Sequence, residues 1–225
     1  MAVSAAGVRS VLRLDHVPDE VRAAVLVLHG GRVSGRTRPP SRWAPPALRM
    51  VPFGRAVRRA TAGHGVALGS VGYRYLGWNG DHADPARDAT AALDHLRDRL
   101  GLVPVVLIGH SMGGRAALHA AGHPLVRAVI GLAPWCPPDD PVTQLTGRRT
   151  VLLHCPADRI TSFDESRQLV ARARTAGAPA CLVTMPHGGH TMLRSAPAWH
   201  TLTADLTTAL LDLAPMPSHI EDALT

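Results

Sequence analysis

The chain has 225 residues and a hydrophobic fraction of 46%, which is enough for one globular domain with a sizeable core and argues against a disordered or fibrous protein. No apolar run approaches the roughly 18 residues of a membrane span, and residues 1–15 lack the apolar core of a signal peptide, so we expect a cytoplasmic protein. The net charge of +7 arises entirely from arginine, because the chain contains no lysine.

The first third of the chain predicts two strands, a long loop, a helix and a third strand. Residues 10–17 alternate apolar and polar side chains, as a half-exposed strand does. Residues 23–31 form an apolar run that ends in glycines, which is typical of a strand buried on both faces. A loop rich in proline and arginine covers residues 32–49. A helix over 53–61 and a strand over 65–75 are expected to follow.

The rest of the chain continues the alternation of helices and strands. The clearest helix covers residues 84–101, where Asp84 suits the N-cap, Pro85 the first turn and Gly101 the C-terminal end. Further strands are predicted at 103–109, 126–133, 150–155 and 180–185, and further helices from residue 112 and at 162–177 and 199–213.

This alternation predicts an α/β fold, in which a mostly parallel central sheet is covered by helices on both faces. Residues 1–214 are expected to form one domain, and residues 215–225 a polar C-terminal tail. Such sheets bind their ligands at the carboxyl ends of the strands. Candidate functional residues are therefore sought where the predicted strands end.

One serine lies at such a strand end between two glycines. The segment Gly109-His110-Ser111-Met112-Gly113 fits the pattern G-x-S-x-G and falls between a predicted strand and a predicted helix. A sharp turn there crowds the backbone, so the residues two before and two after the serine must be small. The turn would present the Ser111 hydroxyl at the top of the sheet, as a nucleophile elbow does.

A serine nucleophile needs a base, and the base needs an acid that orients it. Asp158 follows one predicted strand and is the preferred acid, with Asp139 or Asp140 as the alternative. His190 and His187 follow the last predicted strand. We choose His190 as the base, because a Gly-Gly pair precedes it and an apolar segment follows it, and His187 stays the alternative.

The oxyanion that forms during attack on a carbonyl needs backbone N–H donors. The N–H of Met112 directly follows the nucleophile. The second donor is expected at the glycine turn after the first buried strand, from Gly31 or Arg32.

The sequence resembles the serine α/β-hydrolases over nearly its whole length, through "LHGG", "GHSMGG", "CPADRI" and "HGGHTML". The resemblance implies an eight-stranded sheet, a nucleophile elbow, an oxyanion hole and the catalytic triad Ser111, Asp158 and His190. The chain is similar to the small lidless members, including dienelactone-hydrolase-like proteins. Those proteins use a cysteine nucleophile, so their substrate is not transferred to this chain.

Two loops, residues 32–49 and 134–149, are expected to border the substrate. Residues 134–149 are too few for a helical lid and carry Trp135, which is predicted to contact the substrate together with Arg32. No acidic residue occurs between Glu20 and Asp81, whereas ten arginines do. These arginines indicate either a solvated basic face or a preference for anionic substrates.

The predicted function is hydrolysis of a carboxylic ester or thioester by a carboxylesterase-like enzyme, with no cofactor and no metal. A peptidase, an amidase or a cofactor-free haloperoxidase could use the same triad, and a non-catalytic binding module could use the same fold. Nucleic-acid binding is not expected, because no recognition motif accompanies the positive charge. Cys136, Cys155 and Cys181 have no metal spacing and are expected to be reduced and buried. The oligomeric state is left open.

Overall fold

The computed structural model describes residues 11–224, in which seven strands form one sheet. Residues 1–10 and 225 lie outside the described residues, and so does the predicted start of the first strand at residue 10. The strands are β1 Leu12–His16, β2 Ala23–Leu28, β3 Val66–Val71, β4 Val105–His110, β5 Val126–Leu132, β6 Arg149–His154 and β7 Ala180–Thr184.

The sheet has the order β1-β3-β2-β4-β5-β6-β7. The edge strand β1 pairs with β3 in antiparallel orientation, and all other neighbours are parallel. The predicted α/β architecture with a mostly parallel sheet is therefore confirmed. The resemblance implied eight strands, whereas the described residues form seven.

Within residues 11–224, six α-helices accompany the sheet: α1 Pro45–Ala60, α2 Asp84–Leu100, α3 Met112–Ala120, α4 Phe163–Thr175, α5 Ala196–Leu210 and α6 Ser218–Leu224. Buried side chains of α1, α5 and α6 form the core on one face of the sheet, and those of α2, α3 and α4 form the core on the other. In β4, Val105 and Leu107 face one core and Val106 and Ile108 the other, which explains why these four residues are all apolar.

One predicted helix start and one predicted N-cap are wrong. The helix α1 begins eight residues earlier than expected, at Pro45, because prolines fit the first turn of a helix, where their missing N–H groups would have no partner anyway. Asp84 is not an N-cap but the first residue of α2, preceded by Ala83. Its carboxylate instead accepts a hydrogen bond from Asn79 Nδ2 at 2.8 Å.

Residues 218–224 lie in the stretch that the sequence set apart as a tail, and they form α6. Ile220 of this helix is buried in the core beside β7. Nowhere in residues 11–224 is a helix both long and apolar enough to cross a membrane.

Candidate active site

Ser111 lies between the end of β4 and the start of α3, with φ 55° and ψ −121°. This conformation is strained for a residue other than glycine. A Cβ atom on Gly109 would lie 2.2 Å from the Gly113 carbonyl oxygen, and one on Gly113 would lie 2.4 Å from the Leu28 carbonyl oxygen. Both positions therefore require glycine, because α3 begins in direct contact with the ends of β4 and β2.

Backbone hydrogen bonds hold Ser111 in this strained conformation. Its N–H donates to the Leu132 carbonyl at 3.1 Å, and its own carbonyl accepts the N–H groups of Arg115 and Trp135, each at 3.1 Å. The serine is thus bound to β5, to α3 and to the loop after β5. These bonds supply the support that a positive-φ residue needs.

His190 and Asp158 are brought together from two different loops. His190 Nδ1 lies 2.9 Å from Asp158 Oδ2, and the Asp158 side chain is fully buried. When Nδ1 carries the proton and donates it to the carboxylate, Nε2 is left as the nitrogen that can accept a proton. Between Ser111 Oγ and His190 there is no hydrogen bond within the described residues.

Further donors surround the Asp158 carboxylate. His154 Nε2 lies 3.2 Å and Thr161 Oγ1 lies 2.9 Å from Oδ2, while the N–H groups of Ile160 and Thr161 donate to Oδ1 at 2.8 and 3.2 Å. Burial by itself would raise the pKa of Asp158, but the hydrogen bonds from His154, His190 and Ile160 hold this pKa well below its ordinary value. Asp158 is therefore ionised at neutral pH.

The alternative acid and base lie elsewhere. Asp140 forms a bidentate ion pair with Arg115, with both distances 2.6 Å, and Asp139 is exposed. His187 is exposed as well, and its carbonyl accepts the Trp199 Nε1–H at 2.8 Å. The structure thus pairs His190, and not His187, with Asp158.

His110 joins the serine turn to the loop of His190. Its Nε2–H donates to the His190 carbonyl at 3.0 Å, and the two rings lie 4.9 Å apart. The His110 ring is buried, and its Nδ1 has no hydrogen-bond partner in the described part of the chain. Burial, together with the charge of nearby His190, lowers the pKa of His110 to about 3.

We expect the buried imidazole of His110 to make the protein less stable in acid. The unfolded chain protonates His110 below pH 6.5, whereas the folded protein does so only near pH 3. Between these pH values, His110 should therefore lower the free energy of unfolding by about 1.4 kcal/mol for each pH unit of acidification. Urea unfolding from pH 7 to 4 should show this slope as the difference between wild type and His110→Gln, which keeps a donor but does not titrate. Parallel stability curves for the two proteins would contradict this assignment.

The glycine turn after β2 lies directly beside the serine. A Cβ atom on Gly30 would lie 3.4 Å from Ser111 Cβ, and one on Gly31 would lie 2.3 Å from the Met112 side chain. The Arg32 N–H donates to the Leu76 carbonyl at 3.1 Å, whereas the Gly31 N–H has no acceptor among residues 11–224. Met112 begins α3, so its N–H has no partner within the helix.

Trp135 has one face covered by a cation. The guanidinium carbon of Arg115 lies 4.3 Å from the Trp135 ring centre and 3.9 Å from that of buried Trp78. Arg115 also holds Asp140, so this stack stiffens the loop after β5. Trp135 is partly accessible, and its backbone N–H donates to the Ser111 carbonyl.

Two arginines of the loop after β2 differ in whether a neighbouring acidic side chain compensates their charge. Arg36 is occupied by the protein itself: its guanidinium lies 3.4 Å from Asp84 and 5.2 Å from the ring centre of Tyr75. Arg32 is exposed and directly follows Gly31. Charge from this loop is therefore available at Arg32 but largely compensated at Arg36.

Sequence reasoning missed three residues at this site: His154, Thr161 and His110. His154 and Thr161 flank Asp158 in sequence, and a pattern of polar residues around the acid could have indicated their role. No local signal marks the contact between His110 and His190, which are 80 residues apart. The three cysteines are free and buried, and the described residues contain no group of His, Cys, Asp or Glu that could hold a metal.

Comparison with known proteins agrees with this architecture. A family model described as alpha/beta hydrolase fold matches residues 35–153. No curated protein matches the chain.

Solved structures similar to this chain include several esterases. The propionate-bound esterase Est2 of Thermogutta terrifontis is 19% identical, with TM-score 0.65 and coverage of 92% of this chain and 91% of that one. The esterase domain of a Rhodothermus marinus protein is 22% identical, with TM-score 0.62 and coverage of 89% and 92%. Est1E of Butyrivibrio proteoclasticus with bound ferulic acid is 14% identical, with TM-score 0.66 and coverage of 89% and 95%. At these identities the likeness concerns the fold.

Proposed function

Since the chain belongs to the α/β-hydrolase fold family, we propose that it is a serine hydrolase that cleaves a carboxylic ester or thioester. The observation that carries the proposal is the strained Ser111 at the start of α3, next to a loop that holds His190 against Asp158. The esterases among the similar structures support the choice of ester hydrolysis over the other reactions of such a triad.

In the proposed mechanism, His190 Nε2 takes the Ser111 proton while Oγ attacks the ester carbonyl. Asp158, ionised and hydrogen-bonded to Nδ1, stabilises the imidazolium that forms. The tetrahedral intermediate then collapses, His190 protonates the leaving alcohol, and an acyl group remains on Ser111. Water, deprotonated by His190, attacks this acyl-enzyme and releases the acid.

We assign the oxyanion hole to the N–H groups of Met112 and Gly31. Among residues 11–224 neither of these N–H groups has an acceptor, whereas the Arg32 N–H already donates to the Leu76 carbonyl. The positive end of the α3 dipole adds to the stabilisation of the oxyanion. Trp135 and Arg32, which adjoin Ser111 and Gly31, are proposed to border the substrate.

Labelling with a fluorophosphonate tests this proposal, because only an activated serine reacts with such a probe. We expect modification of Ser111 in wild type, mapped by mass spectrometry, and none in Ser111→Ala or His190→Ala. His187→Ala is the matched control, since this exposed histidine lies three residues from His190, and it should label normally. The absence of labelling in folded wild type would instead favour a non-catalytic binding module.

A further inference from the structure

A groove of about 350 Å³ lies between α1 and the segment that follows His190, a volume that fits a small organic group. Its apolar walls are Leu48, Pro52 and Phe53 on one side and Met192, Leu193 and Ala196 on the other. Because α1 follows β2, it begins at the carboxyl end of the sheet, where Ser111 and His190 also lie. Thr191, which lines the groove, directly follows His190, so the groove adjoins the loop that carries the candidate base.

Arg49 lines this groove and has no ion-pair partner in the described part of the chain. One of its nitrogens, Nη1, donates to the Thr191 carbonyl, and no carboxylate of residues 11–224 lies within 4.0 Å of its guanidinium. The side chain is half-buried, and burial lowers the pKa of Arg49. An unpaired cation in a partly desolvated site is costly unless a ligand provides the missing charge.

Both walls come from segments without acidic residues. Residues 21–80 contain none, and neither do residues 166–204. His200 also lines the groove, with its ring 4.5 Å from that of Phe53, and burial lowers the pKa of His200 below its ordinary value. Arg49 is thus the lining residue that stays positive at neutral pH. A guanidinium also presents N–H donors in the geometry that a carboxylate accepts.

We propose that this groove binds a carboxylate-bearing apolar part of the substrate, with the carboxylate on Arg49. The substrate class is then an ester that carries a second, free carboxylate, either on its acyl part or on its alcohol part. This inference rests on the proposed ester hydrolysis and specifies its substrate. It places the substrate charge on Arg49 rather than on Arg36, which Asp84 already compensates.

Pairs of esters that differ by one free carboxylate test the inference. For the acyl part, the mono-p-nitrophenyl ester of adipic acid is compared with p-nitrophenyl hexanoate. For the alcohol part, 3-carboxyphenyl hexanoate is compared with phenyl hexanoate. The proteins are wild type, Arg49→Gln and the matched control Arg55→Gln, which removes an exposed arginine of the same helix that does not line the groove.

We expect Arg49→Gln to lower kcat/KM about tenfold for the charged ester of one pair, in line with the loss of one charged hydrogen-bonded contact. For that pair, the ratio of kcat/KM for the charged ester to kcat/KM for the neutral ester should therefore fall, and Arg55→Gln should leave both rates unchanged. The pair whose charged ester loses activity shows whether the acyl part or the alcohol part of the substrate occupies the groove. Equal losses for charged and neutral esters in both pairs would overturn the inference and leave ester hydrolysis standing.

A binding measurement separates the inference from the catalytic proposal. Hexanoate should raise the Tm of wild type and of Arg55→Gln, but not that of Arg49→Gln, whereas hexan-1-ol should have little effect on any of them. This readout needs no turnover, so it applies even if fluorophosphonate labelling fails. A hexanoate shift that is the same in wild type and in Arg49→Gln would overturn the role of Arg49.

Discussion

Replacing Asp158 with asparagine is expected to lower kcat about 10⁴-fold while the protein stays folded, as loss of the orienting acid does in other serine triads. The reason lies in the donors around the carboxylate. Oδ1 accepts two backbone N–H groups, from Ile160 and Thr161. An amide nitrogen cannot accept these bonds, so the asparagine oxygen must take the place of Oδ1 and the amide nitrogen that of Oδ2.

The amide nitrogen would then face His190 Nδ1, which lies 2.9 Å from Oδ2 in the native protein. His190 would accept a hydrogen bond there and carry its own proton on Nε2. In that tautomer Nε2 cannot take the proton of Ser111. His154, whose Nε2 also donates to Oδ2, opposes the same arrangement, so some loss of stability is expected as well.

Steady-state hydrolysis of p-nitrophenyl butyrate and urea unfolding would measure the two effects. Asp139→Asn is the matched control, because it is the same substitution at the exposed alternative acid, and it should retain wild-type kcat. The loss of stability at acid pH should also differ between wild type and Asp158→Asn. Since the pKa of Asp158 is lowered by folding, its carboxylate contributes stability above the unfolded pKa near 4 that is lost as the pH falls. A kcat within tenfold of wild type for Asp158→Asn would contradict the assigned role.

Replacing Gly113 with alanine is expected to destabilise the protein by about 3 kcal/mol or more and to abolish activity. The added Cβ atom would lie 2.4 Å from the Leu28 carbonyl oxygen and 2.5 Å from that of His29. Both contacts are with backbone atoms, so no side-chain rotation can relieve them, and the start of α3 must move away from β2. That movement separates the Met112 N–H from the Gly31 turn and disturbs the assigned oxyanion hole.

Gly54→Ala is a control that should change the stability of the protein in the opposite direction. Gly54 lies inside α1, and a Cβ atom there would make an ordinary contact with Leu68 Cδ2 at 3.6 Å. Alanine favours the helix over glycine by about 0.5–1 kcal/mol, so this variant should be slightly more stable than wild type. Thermal and urea unfolding of both variants measure the difference. If Gly113→Ala were as stable as wild type, the turn at Ser111 could accommodate a Cβ atom at position 113, which would contradict the structure.

Much of the fold could be predicted because its signals are local. The seven described strands match the predicted strands to within a few residues, since burial on both faces leaves an uninterrupted apolar segment and the half-exposed edge strand β1 leaves an alternating one. Gly109 and Gly113 likewise mark the turn at Ser111 from adjacent positions. Predictions failed where a local signal permits two outcomes: a Pro-Pro pair fits a loop as well as the first turn of α1, and Asp84 fits an N-cap as well as the first helical turn.

The sequence by itself therefore determined the alternation of strands and helices, the position of the serine turn and the choice of strand ends as the place for chemistry. The sequence indicated Asp158 and His190 as the preferred acid and base with alternatives for each, and only the tertiary structure decided which of these polar groups meet. Asp158 and His190 are 32 residues apart, and His110 and His190 are 80 residues apart. Arg49 reaches the Thr191 carbonyl across 142 residues. Such contacts depend on strand order and helix packing, because a side chain's partner is set by the three-dimensional path of the backbone and not by its neighbours in sequence.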